Sequence, residues 1–342
     1  MELGAGEIYF IKEYDVLTKD ETCYVKIGLV HENENDVRGS THRALEHQTG
    51  NPRKLLVHHK LKTQLVSSVE NKMHRFYAKN RISGEWFNLT PELLDSAIGK
   101  AKEFALLAEK DFDFFNEASS WESVRSTEEV VASTETSNSL HQILLNTKFK
   151  LAECMELEKS YKNLLQQVSK DKGDIEAYAS TIVKKPRSKF DENALKEEWP
   201  EIWELFQVTK EKWSQRFSLM KSKDHVYDLN LSDPVLSQFS EKFRAVLKNI
   251  EAQNQPIDEL QELYFDLRIL FSSYEWDEKV AESQLKILIA DAKEIEGVCK
   301  WSRSFKKNVS FDEKSFSEKH PDLFEKFSSF LENKVFIVPK KF

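Results

Sequence analysis

One pattern is written twice in the second half of this chain. Residues 190–206 read FDENALKEEWPEIWELF and residues 311–327 read FDEKSFSEKHPDLFEKF, an offset of 121. Seven of these 17 positions are identical, among them Phe190/Phe311, Asp191/Asp312, Pro200/Pro321 and Phe206/Phe327. Upstream, Asp174-Ile175-Glu176-Ala177 echoes Glu294-Ile295-Glu296-Gly297 at an offset of 120. A period this long excludes a solenoid, whose repeats run to about 20–50 residues. It calls for two copies of one small module. In each copy the Asp is placed to cap a short helix and the Pro to begin the next at its first turn. Phe190, Trp203 and Phe206 recur as Phe311, Phe324 and Phe327 and read as core. Nine Gly and eight Pro in 342 residues favour helices over turn-rich β architecture. The expectation is two helical modules, residues 140–207 and 260–342, joined by a helical segment over 208–259.

The first 90 residues have a different texture. Glu7–Lys12, Tyr24–Gly28 and Lys54–Leu61 read as strands, the second rich in residues suited to a pleated surface. Thr41 is placed to cap a helix carrying Arg43 and His47, which Gly50-Asn51-Pro52 ends. Val66–Lys79 reads as helix and Gly84–Leu89 as a last short strand. Pro91–Asn116 keeps apolar residues near a 3.6 period, and Ser119–Ser139, rich in Ser, Thr and Glu, reads as a linker or loosely ordered loop. The fold class expected is α+β. A small N-terminal domain over 1–92, with a short mixed or antiparallel sheet flanked by helices, leads through a helix and linker over 93–139 to a mostly α-helical region.

No run of about 18 apolar residues occurs, so no membrane span is expected. No basic region followed by an apolar stretch marks a signal peptide. Cys23, Cys154 and Cys299 are far apart and without zinc spacing; they read as reduced thiols of a cytoplasmic protein.

Charge is unevenly divided. The whole chain is formally −8, yet residues 39–81 hold nine Lys/Arg against two acids. The N-terminal part is therefore the expected polyanion contact, and the acidic remainder a poor broad clamp for DNA. Within the basic window Glu70 and His74 stand four apart, on one face of the expected helix. A lone carboxylate in a positive field suits a hard cation facing a phosphodiester; a solvated basic helix explains the charges equally well.

The order of short motifs adds to this. Gly6-Glu7-Ile8-Tyr9, Tyr24-Val25-Lys26-Ile27-Gly28, Arg43-Ala44-Leu45-Glu46-His47, Gln48-Thr49-Gly50-Asn51-Pro52 and Gly84-Glu85-Trp86-Phe87 resemble the GIY-YIG nuclease superfamily, in the branch that reads VKIG, QTGNP and GEWF. The resemblance covers roughly residues 6–90. The chain departs from the pattern where Glu7 separates Gly6 from Ile8-Tyr9, and where Lys26 holds the second tyrosine position. Glu294–Phe327 with Val335-Phe336-Ile337-Val338 is similar to the C-terminal tail of YqaJ-type phage recombination exonucleases, a module seen beside phage-related nucleases.

The first resemblance implies a divalent-metal-dependent DNA endonuclease. Glu70 would hold one Mg2+ (or Mn2+). Tyr9 would accept a proton from the attacking water or position it, its pKa lowered by Lys26 and Arg43, and His74 would complete the site. Arg53, Lys54, Lys72, Arg75 and Arg81 would contact DNA. A role in phage defence or a mobile element would follow, with the C-terminal modules selecting substrate, binding a protein partner or self-associating. Each residue also has a plainer reading. Tyr9 can be a strand aromatic, Lys26 a solvated strand lysine, Arg43 the partner of Glu46, and His74 a satisfied histidine tying helix to sheet. His47 is a further candidate, and Glu85 and Trp86 read as structural, with Glu85 able to support the site. A catalytically degenerate nucleic-acid-binding scaffold is the alternative function.

Overall fold

Strand β1 (Gly6–Tyr14) lies inside the N-terminal sheet, and its unbroken Ile8-Tyr9-Phe10-Ile11 run follows from that position, since each of its faces is covered. The computed structural model describes residues 2–18, 20–32, 39–172, 178–184, 188–220, 233–253, 256–330 and 334–339. On one side of β1 is β2 (Glu21–His31) and on the other, after helix α1 (Ser40–Gln48), is β3 (Lys54–Thr63). Helix α2 (Val66–Phe76) and a 3-10 turn lead to the short strands β4 (Arg81–Ser83) and β5 (Trp86–Asn88). The sheet runs β3-β1-β2-β5-β4 with every pair antiparallel. Ile8 and Phe10 face α2 and the long helix α3 (Pro91–Ser120), whereas Tyr9 and Ile11 face α1.

Two glycines of the motifs are demanded by packing. A Cβ on Gly28 would lie 2.5 Å from the Tyr9 hydroxyl, so the phenol crosses β2 only where that strand has no side chain. A Cβ on Gly6 would lie 2.1 Å from the Val30 carbonyl oxygen. The Gln48–Pro52 stretch is a turn. The Gln48 amide donates to the Asn51 and Arg53 carbonyls at 3.0 and 2.8 Å, Gly50 takes φ +82°, and the Asn51 amide reaches Glu13 on β1 at 3.0 Å. Helix α1 starts earlier than expected. Gly39, not Thr41, is its N-cap, and the Glu7 carboxylate of β1 accepts from Ser40 N–H at 3.2 Å.

After α3 the chain does not become a loose linker. Strand β6 (Val130–Val131) pairs, and Thr127 N–H donates to the Asp291 carbonyl at 2.8 Å. Helix α4 (Glu135–Lys172) follows, then β7 (Ala179–Lys184), β8 (Ser188–Phe190), α5 (Glu192–Glu198), α6 (Pro200–Leu205) and β9 (Gln207–Leu219). The second pass has α7 (Pro234–Gln253), α8 (Asp258–Ile289), β10 (Glu294–Ile295), β11 (Cys299–Phe311), α9 (Glu313–Lys319), α10 (Pro321–Lys326), β12 (Ser328–Phe330) and β13 (Lys334–Pro339). The molecule is thus α+β, an antiparallel N-terminal sheet followed by a largely helical region.

The repeat is real and reciprocal. Asp191 and Asp312 each accept a capping bond at 3.1 Å, from Ala194 and Ser315, and Trp199 and His320 share backbone angles near −134° and 63°. Strand β9 pairs with β11 and β8 with β12, so that Gln207 opposes Phe311 and Ser328 opposes Phe190. Adding or subtracting 121 turns one pair into the other, as an internal two-fold requires. The distal core obeys it too. Phe190/Phe311, Leu195/Phe316, Ile202/Leu323, Trp203/Phe324 and Phe206/Phe327 form one cluster. The modules are not purely helical, however. The two copies are joined by two antiparallel ribbons, β9–β11 and β7–β13, and residues 208–219 of the expected connecting helix are strand. The Asp174–Ala177 half of the upstream echo lies outside the described residues.

Candidate active site

The second motif strand and the fifth strand meet at Lys26, which pairs with Trp86 on one side and Ile11 on the other. Antiparallel partners share a face, so Lys26, Ile11, Tyr9 and Gly28 all look toward α1. Lys26 is 7 % exposed and forms an ion pair with Glu85. That contact satisfies both charges and fixes the Gly84–Phe87 segment, where the Glu85 carbonyl also accepts from Ile27 N–H at 3.0 Å.

Glu70 and His74 occupy successive turns of α2. The Ile27 carbonyl can only accept, so His74 Nε2–H donates to it at 2.9 Å, and Nδ1 accepts from the Arg81 guanidinium at 3.0 Å. Both ring nitrogens are committed, and burial with the Arg81 and Lys26 charges holds the imidazole neutral. His74 therefore positions Arg81 and ties α2 to β2, and has no free nitrogen for proton transfer.

Glu70 has no hydrogen bond or ion pair to another described residue. Burial, with the Glu85 carboxylate, pushes its carboxyl up to about 7, against the pull of Lys26 and Arg81. An uncompensated, half-buried carboxylate among cations and a phenol is an imperfect arrangement for the bare protein. A hard divalent ion that keeps most of its waters fits it, since such an ion needs one or two carboxylates. Among the described residues no group of three or more His, Cys, Asp and Glu side chains could cage a metal.

Tyr9 is buried, and burial together with Glu85 pushes its phenol up to about 12; Arg43 pulls the other way and loses. The expectation that Lys26 and Arg43 would depress it is corrected here. Lys26 spends its charge on Glu85, and Arg43 bonds Glu46 at 2.8 Å. A phenol held that high is protonated at neutral pH and has a proton to donate. His47 is better suited to accept a proton. Burial, then Lys26 and Arg43, hold it below its ordinary value, and it lines a cleft with Tyr24, Asn51, Ser83 and Trp86. In sequence His47 is only a further candidate and Glu85 only a support for the site. Glu85 nevertheless acts on Tyr9, His47, Glu70, His74 and Arg81 alike. Its pairing with Lys26, 59 residues away, left no local trace in sequence.

The expected DNA-contact residues divide. Arg81 belongs to the site, Lys54 is exposed at the start of β3, and Arg53 bonds Glu13 at 3.2 Å. Lys72 and Arg75 are engaged inside the molecule. The Lys72 ammonium sits 4.7 Å from the Trp276 ring centroid, and Arg75 bonds Glu275 at 2.7 Å. Both face helix α8, whose acids neutralise the outer face of α2.

Among the described residues no helix is long and apolar enough to cross a membrane. Comparison of the chain with protein-family models, with curated proteins and with solved structures finds no match.

Proposed function

We propose that the N-terminal unit is a divalent-metal-dependent endonuclease site that hydrolyses DNA phosphodiester bonds. The observation that carries the reading is the Glu70 carboxylate, which has no hydrogen bond or ion pair to another described residue yet lies within electrostatic reach of the Tyr9 phenol and the Lys26 and Arg81 cations. Glu70 would hold the ion, Mg2+ or Mn2+. When bound, such an ion polarises a phosphoryl oxygen and relieves charge in the transition state. The chain's own groups have separate tasks. Tyr9 O–H donates to and orients the attacking water or a phosphate oxygen. Neutral His47 takes up the water's proton. Arg81, aimed by His74, and Arg43 offset the charge that develops on the phosphorane. Lys26 holds Glu85 in place.

The deciding experiment is nicking of supercoiled plasmid with and without Mg2+, wild type against Glu70→Gln. Cleavage is expected only from the wild type with metal, and undiminished cleavage by Glu70→Gln would sink the assignment. No cleavage by the wild type with either ion would favour the alternative, a nucleic-acid-binding scaffold, for which the internal pairing of Lys26 and Arg43 speaks. Stability gives a second readout. A carboxyl with a raised native pKa holds its proton more tightly when folded, so stability falls as pH rises from about 4.5 to about 7. Without metal, Glu70→Gln is therefore expected to melt above wild type at pH 8, with the gap closing toward pH 4.5. Mg2+ should raise the wild-type Tm alone.

A further inference from the structure

The β9–β11 ribbon has two unlike faces. In an antiparallel pair directly opposed residues lie on one face, and the register alternates. One face begins in the core with Trp301/Phe217 and buried Arg303, whose guanidinium bonds the Trp121, Ala290 and Ala292 carbonyls, and continues to the Trp213/Phe305 pair and the Lys307–Glu211 ion pair. The opposite face carries Lys210, Lys212, Arg216, Lys300 and Lys306, interspersed with Ser and Asn308, and no carboxylate. Lys212 directly opposes Lys306, and Lys210 opposes Asn308 one step along. At the base Lys300 bonds Glu294 at 2.9 Å. Lys212, Arg216 and Lys306 are exposed, and no ion pair joins them to another described residue. Like charges directly opposed across strands weaken a sheet, and beyond β10, which pairs with β11 only at Cys299 and Lys300, the sheet has just two strands and little stability to give up.

The internal two-fold allows a comparison at the base of the ribbon. At the offset of 121, Lys300, Arg216 and Ser218 correspond to Ala179, Ile337 and Pro339 of the β7–β13 ribbon. There Ala179 is buried and Ile337 packs on the helical core beside α4. At these base positions one copy is apolar and covered, whereas the other is polar, with Lys300 and Arg216 exposed.

We propose that the basic face of the β9–β11 ribbon is where this protein holds duplex DNA. This deepens the nuclease reading and rests on it for the choice of nucleic acid. The major groove of B-DNA admits a two-stranded ribbon, whereas that of A-form RNA is too deep and narrow. Lys, Arg, Ser and Asn are donors to phosphate and base edges. A protein partner would call for buried aromatic anchors, and this face has none.

The test is fluorescence anisotropy of the full chain with a short labelled DNA duplex, over a salt series, run beside the plasmid assay. For the variant Lys210→Ser/Lys212→Ser/Lys306→Ser, affinity is expected to fall about tenfold or more, and the slope of log K against log salt to shrink by about 0.9 per lost phosphate contact. Lys307→Ser, on the other face, should change neither. Lys212→Glu guards against misfolding. It creates an opposite-charge pair with Lys306, so the ribbon should be firmer while DNA binding weakens. Unchanged affinity in the triple variant, an equal loss in Lys307→Ser, or tighter binding of duplex RNA or an acidic protein overturns the proposal. So does a wild type that binds no duplex. A wild type that binds through the ribbon but never cleaves would refute the nuclease reading alone. Cleavage with the triple variant binding normally would refute the ribbon alone.

Discussion

Helix α2 and the β9–β11 ribbon are both rich in lysine and arginine, and the fold treats them in opposite ways. On α2, Lys72 rests on the Trp276 ring and Arg75 meets Glu275, and just beyond the helix Lys79 bonds Glu262 and Asp266 at 3.1 and 2.9 Å. Every one of those partners lies on α8, some 200 residues further along the chain. On the ribbon the neighbours of Lys212 and Lys306 are each other. The region with the conspicuous net positive charge is internally neutralised, and the stronger open cationic face belongs to the acidic part of the chain. Summed charge sets the field far from a protein, but an interface is made by the charges that lack a partner.

The contrast depends on α8 being firmly docked, and Trp276 is its anchor. The ring is 5 % exposed, meets Phe115 edge-on at 5.4 Å and donates to buried Asp111 at 2.7 Å. Trp276→Ala should cost about 3–5 kcal/mol in urea unfolding, because it opens a cavity and strips a buried carboxylate of its donor. A loss below about 1 kcal/mol would mean that α8 is loosely held and the α2 cations are available to a polyanion after all.

Lys72 offers a finer test of the same docking. Burial pushes its ammonium down to about 8, against the pull of Asp277 and Glu275. Between about pH 8 and 10.5 the unfolded chain carries a proton that the native chain has shed, so wild-type stability should rise with pH across that window. Lys72→Met should lack this rise in pH-dependent melts. An identical pH profile for the two proteins would place Lys72 in water and return it to the pool of DNA contacts.

The features that local sequence could carry were legible. The turn that ends the first helix at Gly50-Asn51-Pro52 and the paired Asp caps are each settled within a few residues. The 121-residue echo was legible because an internal two-fold makes both copies meet the same packing demands. The ribbons were not. Alternation appears in a strand when one face is core, and between the Phe217/Trp301 end and the distal Phe311 neither face of β9–β11 is, so Lys-rich stretches resemble solvated helix. Residues 119–139 looked like linker because their hold comes from distant groups, such as the Arg303 carbonyl that accepts from Ser126 N–H at 3.2 Å. In the candidate site, the residue types were readable while the balance among them was not. Tyr9 ends with a raised pKa because its burial, helped by the carboxylates of Glu85 and Glu70, outweighs Arg43, a result that depends on distances and not on the motif.

The smallest effect sharpens the comparison most directly, because its sign depends on register alone. If Lys212 opposes Lys306, then Lys212→Glu replaces a repulsive cross-strand pair with an attractive one and should stabilise the protein by about 0.2–1 kcal/mol. If Lys307 opposes Glu211, as their 2.5 Å contact indicates, then Lys307→Glu should destabilise it by a similar amount. The two substitutions make the same change of charge one position apart in cross-strand register, so differences in net charge cancel between them. Salt should shrink both effects, since these pairs are exposed. Opposite signs in parallel denaturant titrations would confirm that one face of the ribbon repels itself and the other does not. Equal signs would mean that the register has slipped or the ribbon is frayed, and the basic face would lose the geometry on which its contrast with α2 rests.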